Sequence, residues 1–198
     1  MDSAQWDERY STSELIWSGN ANQFVERHLA ELEPGTAIDL GAGEGRNAVW
    51  LAQRGWTVTA VDFSQVGLDK ALRLAADHGV TIAVERADAT TWEPTEPVDL
   101  VVLSYLQLPA DQQRIVLGHA RTWLAPGGTL LVIAHDRSNV TDGYGGPPSA
   151  DVCYTVDDTV AALDGLEVTT AEVAERIVDT PDGPRTALDT LVIARRPT

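Results

Sequence analysis

A single cysteine, Cys153, is present among 198 residues. One thiol excludes an intramolecular disulfide and any zinc cluster built on several thiolates, so no metal is expected and a reducing cytoplasm is the expected setting. Cys153 itself reads as an ordinary small residue, since no motif brackets it. Basic side chains are scarce, with 14 Lys and Arg against 30 Asp and Glu and a formal net charge of −16. Such a surface repels nucleic-acid phosphates and anionic lipid at long range, which favours a small-molecule partner, although acidity also serves solubility alone. No apolar run approaches the ~18 residues of a membrane span, and no basic-then-apolar opening marks a signal peptide. The length calls for no second domain; residues 1–198 are expected to form one, with 1–20 as an N-terminal arm or lid.

The organising stretch runs Ala37-Ile38-Asp39-Leu40-Gly41-Ala42-Gly43-Glu44-Gly45-Arg46-Asn47, followed by the apolar residues Ala48, Val49, Leu51 and Ala52. It reads as buried strand, glycine-rich turn and helix, and the glycines let a ligand approach the backbone. Two phosphate-binding patterns are missing. A dinucleotide fingerprint needs its third glycine at the sixth position, where Arg46 stands, and no Gly-Lys-Ser/Thr follows for a Walker loop. Asp39, two residues before the first glycine, would repel a diphosphate and attract a cation. S-adenosylmethionine (SAM), with its ammonium and sulfonium, meets that requirement.

The pattern Asp39-x-Gly41-x-Gly43-x-Gly45 resembles motif I of the class I SAM-dependent methyltransferases. Gly43-Glu44-Gly45-Arg46-Asn47, Trp6-Asp7-Glu8-Arg9-Tyr10 and Trp17 look most like the subgroup of TehB-like and thiol or thiopurine methyltransferases. The resemblance implies an α/β fold with a Rossmann-like, seven-stranded, mostly parallel sheet, a C-terminal antiparallel hairpin and helices on both faces. It implies SAM as cofactor and S-adenosylhomocysteine as product. Cofactor contacts would come from Trp17, Asp39, Gly41, Ala42, Gly43, Arg46, Asn47, Asp62, Phe63, Ser64, Asp88, Ala89 and Ser104. Acceptor contacts would come from Tyr10, Trp17, Tyr105, Gln107 and His135. In that family the N-terminal segment closes over cofactor and acceptor; an alternative is that its aromatics only anchor a terminus.

Along the chain, Phe24, Val25, His28, Leu29 and Leu32 repeat at helical spacing. Residues 45–54 read as the helix after the glycine loop, 56–61 as a second strand, and 65–77 as a helix capped by Ser64. Asp62, closing that strand about 20 residues beyond the glycines, stands where ribose hydroxyls are read in nucleoside-binding α/β folds. Residues 80–85 read as a third strand, and Asp88 and Ala89 after it fit the family's adenine contacts. Trp92 reads as a plug for the sheet edge. Residues 98–103 suit a central strand, and Ser104-Tyr105-Leu106-Gln107-Leu108-Pro109 departs from the Asp/Asn-Pro-Pro-Tyr/Phe loop of amino-directed DNA methyltransferases. A helix is expected over 111–123, a turn at 125–128, a fifth strand over 129–134 and a helix over 155–163. Residues 166–178 and 186–194 read as strands joined by Asp182-Gly183-Pro184, which reverses the last one.

Methyl transfer from a sulfonium is an in-line displacement of an already activated group, so orientation and exclusion of water are the protein's main tasks. A neutral acceptor also needs a base, and His135, at the carboxyl end of the fifth strand, suits it, with Asp136 to orient it. Tyr105, His135 and Asp136 form the expected catalytic set. The expected function is methylation of a small acceptor (thiol, chalcogen oxyanion, amine or hydroxyl) by a monomer or weak homodimer, with no nucleic-acid or membrane partner. The alternatives are a non-catalytic SAM-binding protein and a nicotinamide-dependent oxidoreductase.

Overall fold

The computed structural model describes residues 3–11, 15–16 and 19–198. The chain packs as two compact units, Met1–Ser104 and Tyr105–Thr198.

The first unit contains α1 (Ser3–Tyr10), α2 (Gln23–Leu29), β1 (Thr36–Leu40), α3 (Arg46–Gln53), β2 (Thr57–Asp62), α4 (Gln65–Asp77), β3 (Ala83–Arg86) and β4 (Val98–Ser104). β1 pairs in parallel with β2 and with β4, and β2 with β3. Ile38, Leu40, Leu100, Val101, Val102 and Leu103 are all buried, as expected of parallel strands covered on both faces. β3 is shorter than the expected 80–85. Val80 is used instead to close α4, its amide donating to the Ala75 carbonyl.

The polar opening, expected as an arm or lid, begins with the short helix α1. Trp6 and Tyr10, four residues apart, stack with ring centroids 5.3 Å apart, and Tyr10 is buried. α1 is fastened to α4 by Asp7, whose carboxylate accepts from Ser64 Oγ (2.5 Å) and the Val66 amide (3.3 Å). Ser64 also accepts from the Gly67 amide (3.1 Å) as the N-cap of α4. Ser64→Ala therefore removes a cap and the anchor of α1, and should lower the urea midpoint by the equivalent of about 1–2 kcal/mol.

The second unit contains α5 (Ala110–Trp123), β5 (Leu124–His135), α6 (Asn139–Asp142), a short 3-10 turn (Ala150–Val152), α7 (Val156–Ala162), β6 (Glu167–Val178) and β7 (Arg185–Arg195). β7 pairs antiparallel with both β5 and β6. β5 starts earlier than the expected 129–134, because the Gly127 and Arg196 backbones pair across what reads in sequence as a turn. Thr155 caps α7 by accepting from the Asp158 amide. The strand order is β3-β2-β1-β4-β5-β7-β6, a seven-stranded sheet with the reversed hairpin at its end. Among the described residues no helix is long and apolar enough to cross a membrane.

Candidate functional site

In the first unit, the glycine loop joins β1 to α3 and its amides are turned inward. Gly41 and Ala42 donate to the Val61 carbonyl (2.8 and 3.0 Å), Gly45 to the Ala42 carbonyl (2.9 Å), and Gly43 to Asp62 Oδ2 (2.8 Å). A loop that cradles phosphate points such amides at the ligand. These four are committed to the protein, in agreement with the charge argument against a diphosphate.

Asp62 holds the loop against the start of α4. Its other oxygen accepts from the Ser64 amide (2.8 Å), and burial raises its pKa despite the amide donors. Each carboxylate oxygen has a second lone pair, so ribose hydroxyls can still donate to it. Asp39 is buried more completely, at 1% exposure. One oxygen accepts from the Ala48 amide at the start of α3 (3.0 Å), while Oδ1 is buried with no partner. Desolvation pushes the Asp39 pKa up to about 7, with Asp62 adding to the rise and the Ala48 amide and Arg46 opposing it. Ser104 Oγ, at the end of β4, is also buried without a partner. β1 and β4 are parallel neighbours, with Leu40 opposite Leu103, so both orphaned oxygens lie toward the carboxyl ends of adjacent strands.

Buried polar groups in folded proteins are nearly always paired, so orphaned oxygens at strand ends point to a missing ligand. The β1/β4 boundary is also where the chain reverses its direction of travel across the sheet, the place where open α/β sheets bind ligands. An ammonium or a ligand hydroxyl satisfies such oxygens, and SAM supplies both.

Other expected cofactor residues have varied surroundings. Asn47 is buried, and its Oδ1 accepts from the Asn22 amide at the start of α2 (2.9 Å). Phe63 and Ala89 are half-buried, and Arg46 opens α3. Asp88 is exposed and accepts from the Thr90 amide and hydroxyl, which shapes the turn after β3. Trp92 donates to Glu85 on β3 (2.6 Å), consistent with a plug at the sheet edge. Tyr10 is buried, its hydroxyl 2.7 Å from where a side chain on Gly43 would begin. Trp17 lies outside the described residues.

In the second unit a separate polar cluster forms around His135. The expectation that Asp136 orients His135 is corrected. Neighbouring residues of an extended strand point to opposite faces, and the Asp136 carboxylate instead accepts from the Ser138 amide and hydroxyl and from Thr190 Oγ1. The acid beside His135 is Asp189, its cross-strand partner on β7, which is fully buried. Asp189 Oδ1 lies 3.3 Å from His135 Nδ1, and Oδ2 accepts from Tyr105 Oη (2.8 Å) and Arg176 Nε (2.7 Å). Burial raises the Asp189 pKa, but these donors outweigh it and leave it below the usual carboxylate value. Tyr105 has a left-handed backbone (φ 56°) and its ring lies 4.7 Å from the His135 ring. Gln107 is half-buried in the following loop, which Tyr154 holds by donating to the Leu106 carbonyl (2.8 Å). Cys153 is buried, as an ordinary packing residue would be.

Neither Asp189 nor Arg176 is among the residues expected from the sequence. The available signal was an acid inside an apolar run, Ala187-Leu188-Asp189-Thr190-Leu191, which calls for a buried partner. Gly146 closes the cluster. A Cβ there would sit 3.0 Å from His135 Nδ1 at φ +82°, so Gly146→Ala should displace the ring and destabilise the protein by about 1–3 kcal/mol in denaturant melts. Among the described residues no group of three or more His, Cys, Asp or Glu could hold a metal.

Known proteins resemble the chain in part of its sequence and in its fold. Residues 37–128 match a family model described as a methyltransferase domain. The fold is that of a class I methyltransferase. The N-methyltransferase NodS from Bradyrhizobium japonicum, solved with S-adenosylhomocysteine, superposes with TM-score 0.75 at 15% identity, covering 99% of this chain and 98% of that one. TehB from Haemophilus influenzae gives TM-score 0.75 at 16% identity, over 98% of this chain and 66% of that one. The tRNA 5-carboxymethoxyuridine methyltransferase of Escherichia coli K12 is 34% identical over 130 residues, 62% of this chain and 47% of that protein. The chain spans between about a quarter and a half of the length of the curated methyltransferases it matches.

Proposed function

We propose that the chain, as one domain over residues 1–198, is a SAM-dependent methyltransferase that acts on a small-molecule acceptor. The observation that carries the cofactor is the pair of buried, unpartnered oxygens of Asp39 and Ser104 at the ends of adjacent parallel strands, beside a loop whose amides do not face a phosphate. SAM, when bound, supplies an activated methyl group. Asp39 then faces the ligand's positive charge, Asp62 accepts from the ribose, and Asp88 lies where the adenine amino group is read. In the second unit, His135 takes the proton of a neutral acceptor.

The acceptor is assigned by charge. A net charge of −16 opposes an RNA substrate, because polyanion binding draws on basic side chains, and only 14 are present. The similarity to a tRNA methyltransferase supports RNA as the second reading. Calorimetric titration with SAM and with NADH tests the cofactor: SAM binding without NADH binding is expected, and the reverse sinks the proposal. Incubation with methyl-labelled SAM and either bulk tRNA or a panel of thiols, amines, phenols and chalcogen oxyanions tests the acceptor. Label incorporated into tRNA alone would favour the second reading, and label transferred to nothing would favour a non-catalytic SAM-binding protein.

A further inference from the structure

The His135 cluster carries an inference about which proton His135 holds, and so about the class of acceptor it serves; it rests on the reading of His135 as a base. We propose that Asp189 is the positioning residue of His135, holding the neutral ring as its Nδ1–H tautomer so that Nε2 presents a lone pair to a proton-bearing acceptor.

Nδ1 is sealed from solvent, and the side chain's 14% exposure belongs to its other atoms. The Asp189 oxygen 3.3 Å away is off the line of a straight hydrogen bond, yet it is the charge that Nδ1 meets. A lone pair on Nδ1 would face a carboxylate across a low-dielectric gap, whereas a proton there is attracted to it. The carboxylate stays ionised because Arg176 and Tyr105 donate to its other oxygen, and Arg176 Nη2 also reaches the oxygen facing Nδ1 at 3.4 Å, which leaves that oxygen a second lone pair for His135. Two neighbours oppose a turn of the ring that would exchange its nitrogens. A Cβ on Gly146 would come within 3.0–3.1 Å of Nδ1, Cγ and Cε1, so this glycine runs close beside the ring, and Tyr105 lies tilted at 42° against it, itself held through its hydroxyl to Asp189.

An Nε2 lone pair fits an acceptor that loses a proton on methylation: an amine, hydroxyl or undissociated thiol. A halide or a preformed oxyanion would be repelled by it. In the step that results, the acceptor atom forms its bond to the methyl carbon and the carbon–sulfur bond breaks with its electron pair passing to sulfur. The acceptor's proton moves to Nε2, and the imidazolium formed is paired with Asp189. Charge is conserved, since the sulfonium's positive charge reappears on His135.

The tautomer is read directly by long-range nitrogen–proton correlation NMR on the full chain labelled with 15N-histidine, at pH 8. The four histidines are assigned with the help of His135→Gln. We expect His135 to be predominantly Nδ1–H, and Asp189→Asn to shift the population toward Nε2–H. A predominantly Nε2–H ring in the unmodified protein overturns the proposal, as does an unchanged tautomer in a folded Asp189→Asn protein. If Asp189→Asn does not fold, the unmodified protein decides alone. Because no cofactor is added, failure to bind SAM would overturn the proposed function and leave this result standing.

Discussion

Asp39→Asn is expected to stabilise the free protein at pH 8 while sharply weakening SAM binding, opposite signs from one substitution. The folded carboxyl group keeps its proton until about pH 7, whereas the unfolded one ionises near 3.8. The folded state therefore binds more protons between these values, and stability falls as pH rises through that window, then stays level above it. Over the roughly three pH units involved, the loss approaches about 4 kcal/mol. Asp62, whose pKa burial also raises, adds a loss of the same sign. Asparagine cannot ionise, so its protein should not lose this stability. An amide group left where Oδ1 was orphaned takes back about 1–3 kcal/mol, for a net gain on the order of 2 kcal/mol at pH 8. Loss of the charge facing a bound ammonium should weaken SAM by about 1.5–3 kcal/mol, or roughly 10- to 150-fold. Urea melts at pH 5 and pH 8 with calorimetric titration at pH 8 check both halves. A variant less stable than the parent at pH 8, with unchanged SAM affinity, would remove Asp39 from the site.

Gly45→Ala is expected to be the most damaging small change in the first unit. Gly45 is the N-cap of α3 at φ +78°, and a Cβ there would sit 2.4 Å from the Cβ and 3.0 Å from the Cα of Ala71 on α4. Left-handed backbone in an L-residue costs about 1–2 kcal/mol and overpacking about 1–3, so a loss of about 2–5 kcal/mol is expected. The close approach of α3 and α4 thus explains the third glycine better than ligand access does. Ala71→Gly in the same chain should recover the packing part and leave the backbone part. A Gly45→Ala protein as stable as the parent would contradict the packing account.

The helices and strands that could be read in advance are those whose apolar periodicity and caps are local: α3, α4 with Ser64, α7 with Thr155, and the β6–β7 hairpin with its Asp-Gly-Pro turn. α1 was not legible, because eight mostly polar residues have little helix signal and their order comes from Asp7 docking on α4. The buried acids Asp39 and Asp62 beside the glycine loop were legible from their spacing to the glycines, but the inward turn of the loop amides was not. It depends on β2 lying beside β1. Glu44 shows the same limit. It is buried in an ion pair with Lys70 (2.9 Å) and accepts from the Ile16 amide (2.9 Å), partners 26 and 28 residues away. Asp136 was assigned beside His135 by adjacency in sequence, where strand alternation argues the opposite. The actual partner, Asp189, comes from register across the sheet, 54 residues on.

A buried, largely neutral Asp39 should ionise on receiving a cationic cofactor. Calorimetry of SAM binding at pH 6, in two buffers of different ionisation enthalpy, counts the protons exchanged. The account predicts release of close to one proton for the parent protein and almost none for Asp39→Asn, with the parent's affinity rising up to about tenfold per pH unit between 5.5 and 7. Tight SAM binding with no proton release and no dependence on pH across that range would contradict it.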